Sequence, residues 1–314
     1  MRGVTADAVA PIAPERPNTA PLGLVIAAFG AVYVIWGSTY LGIRLAIDSI
    51  PPLLMAGARF TLAGAILYAV MRIRGVPRPK PQHWLGALVM GALLLLAGNG
   101  GVSWAQQTVP TGITALVVAA VPLWIMLVDW LRPHGRRPTR VVLLGLAAGF
   151  AGVVLLVVGR DQLGQRIVNP MGAAVLVVAT VAWAFGSVYS RFTAKPASPL
   201  LAVGMQMFAG GVLQLIAGLA LGESEAFAWA RITATSAWAF VYLTFIGSLV
   251  GFTAYVWLLQ VSTPAKVSTY AYVNPLIAVA LGHVVLHEAV PRNAVVAGGL
   301  ILAAVILITR RSAR

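Results

Sequence analysis

Polar positions are so sparse along this chain that they act as punctuation between apolar runs. Leu22 to Ile43 extends for 22 residues without a charge, Trp84 to Val128 for 45 and Ile232 to Ala265 for 34. A helix that crosses the hydrocarbon layer of a bilayer needs about 20 apolar residues, so each run holds one span or two. Cutting at charges, Pro and Gly predicts ten spanning helices, at 22–45, 52–71, 84–106, 110–131, 140–159, 170–192, 198–222, 233–259, 264–287 and 292–309. Two of the cuts carry no charge. There the segments 107–112 and 260–264 supply Pro110 and Pro264 among small polar residues, which favour a turn.

Composition turns this pattern into a statement about the solvent. Apolar residues make up 60% of the chain and charged ones 10%, against roughly 45–50% and about 25% in soluble domains. A water-soluble fold is excluded. Residues 1–21 are predicted to be a disordered cytoplasmic tail, because they lack a basic leader region and the run that follows is too long for a signal-peptide core. The absence of Cys excludes disulfides, thiolate metal sites and Cys nucleophiles.

The net charge of +14 would point to nucleic acid only if the cations shared a folded face. Instead they lie between the spans and sort by side. The tails and alternate loops hold sixteen Lys and Arg, the remaining loops only Arg160, Arg166, Arg231 and Arg292. Cytoplasmic loops are the basic ones, so both termini are predicted to be cytoplasmic. The short loops leave no room for a soluble domain.

The two halves repeat one another. Gly37-Ser38-Thr39-Tyr40 returns as Gly186-Ser187-Val188-Tyr189, and the Pro52-Leu-Leu run with Gly57, Arg59 and Gly64 returns as Pro199-Leu-Leu with Gly204, Gln206 and Gly211. Further on, Trp104 and Gln107 match Trp257 and Gln260, and Pro138 with Gly145 matches Pro291 with Gly298. Five spans per half is an odd number, so the second copy enters the membrane from the opposite face. Inverted repeats of this kind bind substrate between the halves near the midplane.

Paired five-helix halves, aromatic-Gly-Ser motifs in spans one and six, Pro-led spans four and nine and Glu288 after span nine resemble the drug/metabolite transporter superfamily. Within it the chain is similar to the ten-helix EamA-type exporters, the YddG-type exporters of aromatic and neutral amino acids among them. The resemblance covers residues 22–309 and divides them into EamA-like repeats at 22–159 and 170–309. It implies an all-α integral membrane protein with a central cavity, exporting small organic metabolites across a bacterial inner membrane by alternating access. The first half departs from the pattern after span four, where Asp129 and His134 stand in place of a Glu.

Polar and aromatic groups inside the spans are the site candidates, since such groups are costly in lipid and face a cavity or a partner. Arg59 lies about 12 Å from the outer end of span two by helix rise. It either anchors a substrate carboxylate, or snorkels outward or pairs with Asp48. Span one puts Tyr33, Trp36, Gly37, Tyr40 and Arg44 on one face, with Ser38 and Gly37 allowing close helix approach, and span six repeats the arrangement with Trp183, Ser187 and Tyr189, as stacking surfaces or as helix packing. Asn99 and Ser103, beside Trp104, make a polar stripe in span three, and Tyr270 and Asn274 make another in span nine; Gln206 completes the set. Pro122 and Pro275 free backbone carbonyls one turn earlier, either for a ligand or as plain kinks.

His283 and His287 have the i, i+4 spacing of a zinc pair. A catalytic zinc wants a third ligand, and His83 and His134 fall on the other side of the membrane, so neither metal nor cofactor is expected. With no nucleophile–base constellation, the expectation is a transporter and not an enzyme; a membrane enzyme and a passive channel are the rival classes. Expected partners are the small-molecule substrate and membrane lipid, without nucleic acid. Spans five and ten, built of Gly, Val and Leu, suit lipid contact or packing in a homodimer. Only Asp129 among the acids falls inside a span, near its cytoplasmic edge, so no proton-coupling carboxylate is expected.

Overall fold

A computed structural model describes residues 20–133, 138–159 and 168–312. The tail predicted for 1–21 lies outside them except for its last two residues. Ten apolar helices follow in order: α1 (Leu22–Ala46), α2 (Pro52–Ile73), α3 (Pro81–Ala105), α4 (Thr111–Leu131), α5 (Arg140–Val158), α6 (Pro170–Tyr189), α7 (Pro199–Ala220), α8 (Ala234–Val261), α9 (Tyr270–Leu286) and α10 (Arg292–Ser312). The first eight are long and apolar enough to span a membrane, and α9 and α10 carry shorter apolar stretches. The protein is an all-helical, multi-pass membrane protein of two inverted five-helix repeats. The start of α1 and the end of α10 share one end of the helices, called here the basic end after the cations of its loops; the other is the far end.

Local chemistry sets the helix starts. Pro occupies the first turn of α2, α3, α6 and α7, where its missing N–H costs nothing. Thr139, Asn169, Ser198 and Thr233 accept hydrogen bonds from the exposed amides of α5, α6, α7 and α8. Span nine is shorter than the sequence predicted. A single turn, Pro264–Val267, is closed by Thr269, whose hydroxyl donates to the Lys266 carbonyl at 2.6 Å, and the helix restarts at Tyr270. α4 breaks similarly at Ala119 and Ala120, two residues before Pro122.

Small residues line the places where helices approach one another closely. α10 exposes Val295, Val296 and Leu307 and buries Ala294, Ala297 and Ala304. Those alanines meet glycines of α5: a Cβ on Gly149 would lie 3.0 Å from Ala304, and one on Gly152 would lie 2.8 Å from the Ala297 carbonyl. Small residues of α5 and α10 thus let these two helices pack closely against each other.

The halves cross at α2 and α7, and the contacts obey the repeat. A Cβ on Gly57 would lie 2.7 Å from the Leu215 nitrogen, and one on its mate Gly204 would lie 3.0 Å from that of Tyr68, the mate of Leu215. Gly64 lies against the Phe208 backbone as Gly211 lies against that of Thr61. The pseudo-twofold axis therefore passes between Gly64 and Gly211. Around it the packing is lopsided. One large buried cluster joins the far ends of α1, α2, α3, α4 and α6 and runs along α4, α5 and α10 to Val142 and Ile308 near the basic end, where two separate smaller clusters also lie, around Met71 and Leu201 and around Val32 and Leu258.

Candidate functional site

Two π-helical segments place the functional side chains. Gly91–Gly100 in α3 and Leu243–Val250 in α8 are repeat mates, and each replaces the usual i→i+4 ladder with a wider turn. Such a turn leaves backbone groups for other helices. Gln214 of α7 donates to the Leu95 carbonyl at 2.7 Å, and Trp36 of α1 donates through Nε1 to the Gly247 carbonyl at 3.3 Å. The tryptophans obey the same symmetry. A Cβ on Gly251 would lie 2.5 Å from Trp36 Nε1, and one on its mate Gly98 would lie 2.8 Å from the Trp183 ring. Each half seats its first-helix Trp on a glycine of the other half's third helix.

Around Trp36 the symmetry ends. Its ring meets Phe252, Tyr255 and Tyr270 with centroids 5.1, 5.0 and 5.1 Å away, and the two tyrosines pack edge to face. Aromatic pairs favour this tilted geometry. Trp183 has no such cluster among the described residues; its carbonyl accepts from Ser187 at 2.8 Å. Tyr189 stands at the basic end, 37% exposed, in a cleft of about 380 Å³ with Val128, Leu131, Arg132 and Phe192. Tyr40 lies in the far half, where its carbonyl accepts from Gln106 at 3.0 Å. Ser38 bonds to Tyr242 at 2.6 Å and back to its own helix.

Arg59 neither snorkels nor pairs with Asp48. It is 3% exposed, and its Nε donates to Ser248 at 2.9 Å. Its guanidinium carbon stands 4.5 Å over the Phe60 ring, its Nη1 is buried without a partner, and among the described residues no carboxylate lies within salt-bridge reach. Its Nη2 lies beside Gly247, the residue whose carbonyl holds Trp36. The cation and the aromatic cluster therefore meet at one π-turn. Gln206, the repeat mate of Arg59, lies partly buried in α7 near Gly91.

The polar stripe of α3 divides. Among the described residues Asn99 Oδ1 and Ser103 Oγ are buried without partners, while Gln107 is exposed and bonds to the carbonyl of Trp104, itself half-buried. Asn274, with its amide turned to suit its neighbours, donates to the Tyr270 and Tyr33 carbonyls at 3.1 and 3.2 Å. It ties α9 to α1. Asp129, predicted at a span edge, is engaged by Arg132 at 2.7 Å and Arg191 at 3.4 Å. His283 bonds through Nδ1 with the Glu288 carbonyl at 3.0 Å, and His287 ends α9 with a left-handed backbone, φ 54°.

Several residues escaped sequence reasoning. Ser248, Gln106 and Gln214 are buried polar groups inside apolar spans, so their rarity in lipid was an available signal. Phe252, Tyr255 and Tyr242 sit among many span aromatics and had none.

Comparison with known proteins agrees with this architecture. The EamA-like transporter family model matches residues 22–158 and again 170–310. An uncharacterized inner membrane transporter, YedA of Escherichia coli K12, is 39% identical over 280 residues, covering 89% of this chain and 88% of that protein. A probable terminal-alkyne amino-acid exporter of Streptantibioticus cattleyicolor is 28% identical over 288 residues, covering 89% and 91%. A solved crystal structure shares the fold at a TM-score of 0.61 and 21% identity, over 93% of this chain and 99% of its own. The chain belongs to the EamA-like transporter family.

Proposed function

We propose that this transporter exports aromatic or other neutral amino acids across a bacterial inner membrane by alternating access, with both termini cytoplasmic. One observation carries the reading: a buried guanidinium without a counter-ion among the described residues and a cluster of four aromatic rings meet at Gly247. A cation left unpaired in lipid is expensive. A substrate carboxylate arriving at Arg59 would supply the missing charge in the bidentate geometry that guanidinium favours, while the substrate's ring joined Trp36, Phe252, Tyr255 and Tyr270. The name of the Streptantibioticus relative, an amino-acid exporter, adds support. The loop charges support the orientation.

Alternating access in this reading follows the α2–α7 axis, and the substrate gradient drives it. The described acids, Asp48, Asp129, Glu223, Glu225 and Glu288, all lie at helix ends or in loops, which supports movement without a protonatable carboxylate at the midplane. Purified protein in liposomes should exchange external labelled phenylalanine for internal unlabelled phenylalanine, with saturation. If amino acids fail and another metabolite or a drug-like compound exchanges, the protein exports that compound instead. A product chemically different from the added compound would make it a membrane enzyme.

A further inference from the structure

Two glutamates at the far end do something that the helix starts at the basic end do without. Neither α2 nor α4 has a capping side chain of its own. Each is capped by the other half. Glu223, just after α7, accepts from the Leu53 amide at 3.0 and 3.2 Å and from the Leu54 amide at 2.9 Å. Glu288, just after α9, accepts from the Thr111 amide at 2.8 Å and the Gly112 amide at 3.2 Å. Both carboxylates sit on the positive end of a helix dipole, where anions are favoured.

The backbone is arranged for this. Each glutamate directly follows a left-handed residue, Gly222 at φ 78° and His287 at φ 54°. Left-handed backbone is uncommon outside glycine, and at His287 it turns the chain so that Glu288 reaches α4. Each carboxylate also passes over a glycine of its own helix: Cβ atoms on Gly218 and Gly282 would lie 3.2 and 2.5 Å from them.

At the basic end the same repeat positions hold no carboxylate. Gly75 is the mate of Gly222 and is also left-handed, φ 81°, but the next residue is Val76, which packs against the apolar cluster that holds Met71 and Leu201. There α7 is capped by its own Ser198 at 3.3 Å. The position matching Glu288 is Gly135 in the sequence. At the far end, therefore, two carboxylates of the second half tie it to helix starts of the first.

We propose that Glu223 and Glu288 are paired latches that hold the far end of the transporter shut and release when that end opens. The proposal rests on family membership alone and not on the amino-acid reading, so its test uses no substrate. The chain has no Cys, and spin labels can be placed at Gln107→Cys with Ala289→Cys across the far end and at Arg78→Cys with Lys195→Cys across the basic end. In Glu223→Gln/Glu288→Gln the far-end pair should gain a longer-distance population several-fold larger than in the parent, with a matching shortening at the basic end. Val76→Glu, which keeps both latches and adds a carboxylate beside α7, should shorten the basic-end distances at the expense of the closed far end. If the Gln variants melt at lower temperature while both distance distributions stay unchanged, and Val76→Glu also leaves them unchanged, the glutamates are ordinary helix caps and the latch is refuted.

Discussion

A guanidinium held within a membrane span with one hydrogen bond and one aromatic face makes stability and function pull in opposite directions at Arg59. An unpaired buried charge destabilises the protein that contains it. Arg59→Met should therefore leave the melting temperature unchanged or raise stability by about 1–2 kcal/mol, while counterflow of amino acids disappears. A structural arginine would give the reverse, lower stability with transport per folded molecule retained. The neighbouring tryptophans should differ from one another. Trp36→Ala loses three ring contacts, each worth about 0.5–1.5 kcal/mol beyond area burial, and should weaken substrate affinity several-fold more than Trp183→Ala, measured as the half-saturating concentration in counterflow. Asn274→Ala removes one hydrogen bond within α9 and one across to α1 and should cost about 1–3 kcal/mol in thermal stability, whereas Asn99→Ala, whose buried acceptor has no partner among the described residues, should alter discrimination among substrates with little change in melting temperature.

Helices explain why the sequence revealed some of this and not the rest. Span count, the inverted repeat and the pairing of Gly64 with Gly211 followed from apolar periodicity and from motif order, which are local. The repeat carried over into three dimensions: its matched glycines form the α2–α7 axis. A Cβ on Gly211 would strike the backbone of Thr61, which no rotamer change relieves, so Gly211→Ala should destabilise by about 1–3 kcal/mol in thermal unfolding. The π-helices were not legible, because Gly-Asn-Gly-Gly at 98–101 warns of weak helix without saying how the ladder rearranges. Nor could the sequence tell that Arg59 would find Ser248 in place of Asp48, since that depends on which turn of α8 faces α2. Glu288 was visible as a motif residue, but its role as a cap on α4 needed the fold.

Across the whole molecule, the charge asymmetry of the loops coincides with an asymmetry of the helix ends: the far end carries the glutamate caps that join the halves, and the basic end carries most of the cations. Reporters fused after Arg78 and after Ser224 should lie in the cytoplasm and outside, respectively; the opposite result would invert the direction of transport. The acids at helix ends lead to an energetic expectation as well. An imposed pH gradient should not accelerate phenylalanine uptake into proteoliposomes beyond what an equal membrane potential does. The central claim, that an uncompensated Arg59 receives a carboxylate while the aromatic cluster receives a ring, is tested most directly by counterflow of labelled phenylalanine against unlabelled phenylalanine and against phenylalaninamide, in the parent and in Arg59→Met. Exchange driven by phenylalanine and not by its amide, and abolished by Arg59→Met in a folded protein, is the predicted result. Equal exchange with acid and amide, undiminished in the variant, would contradict it.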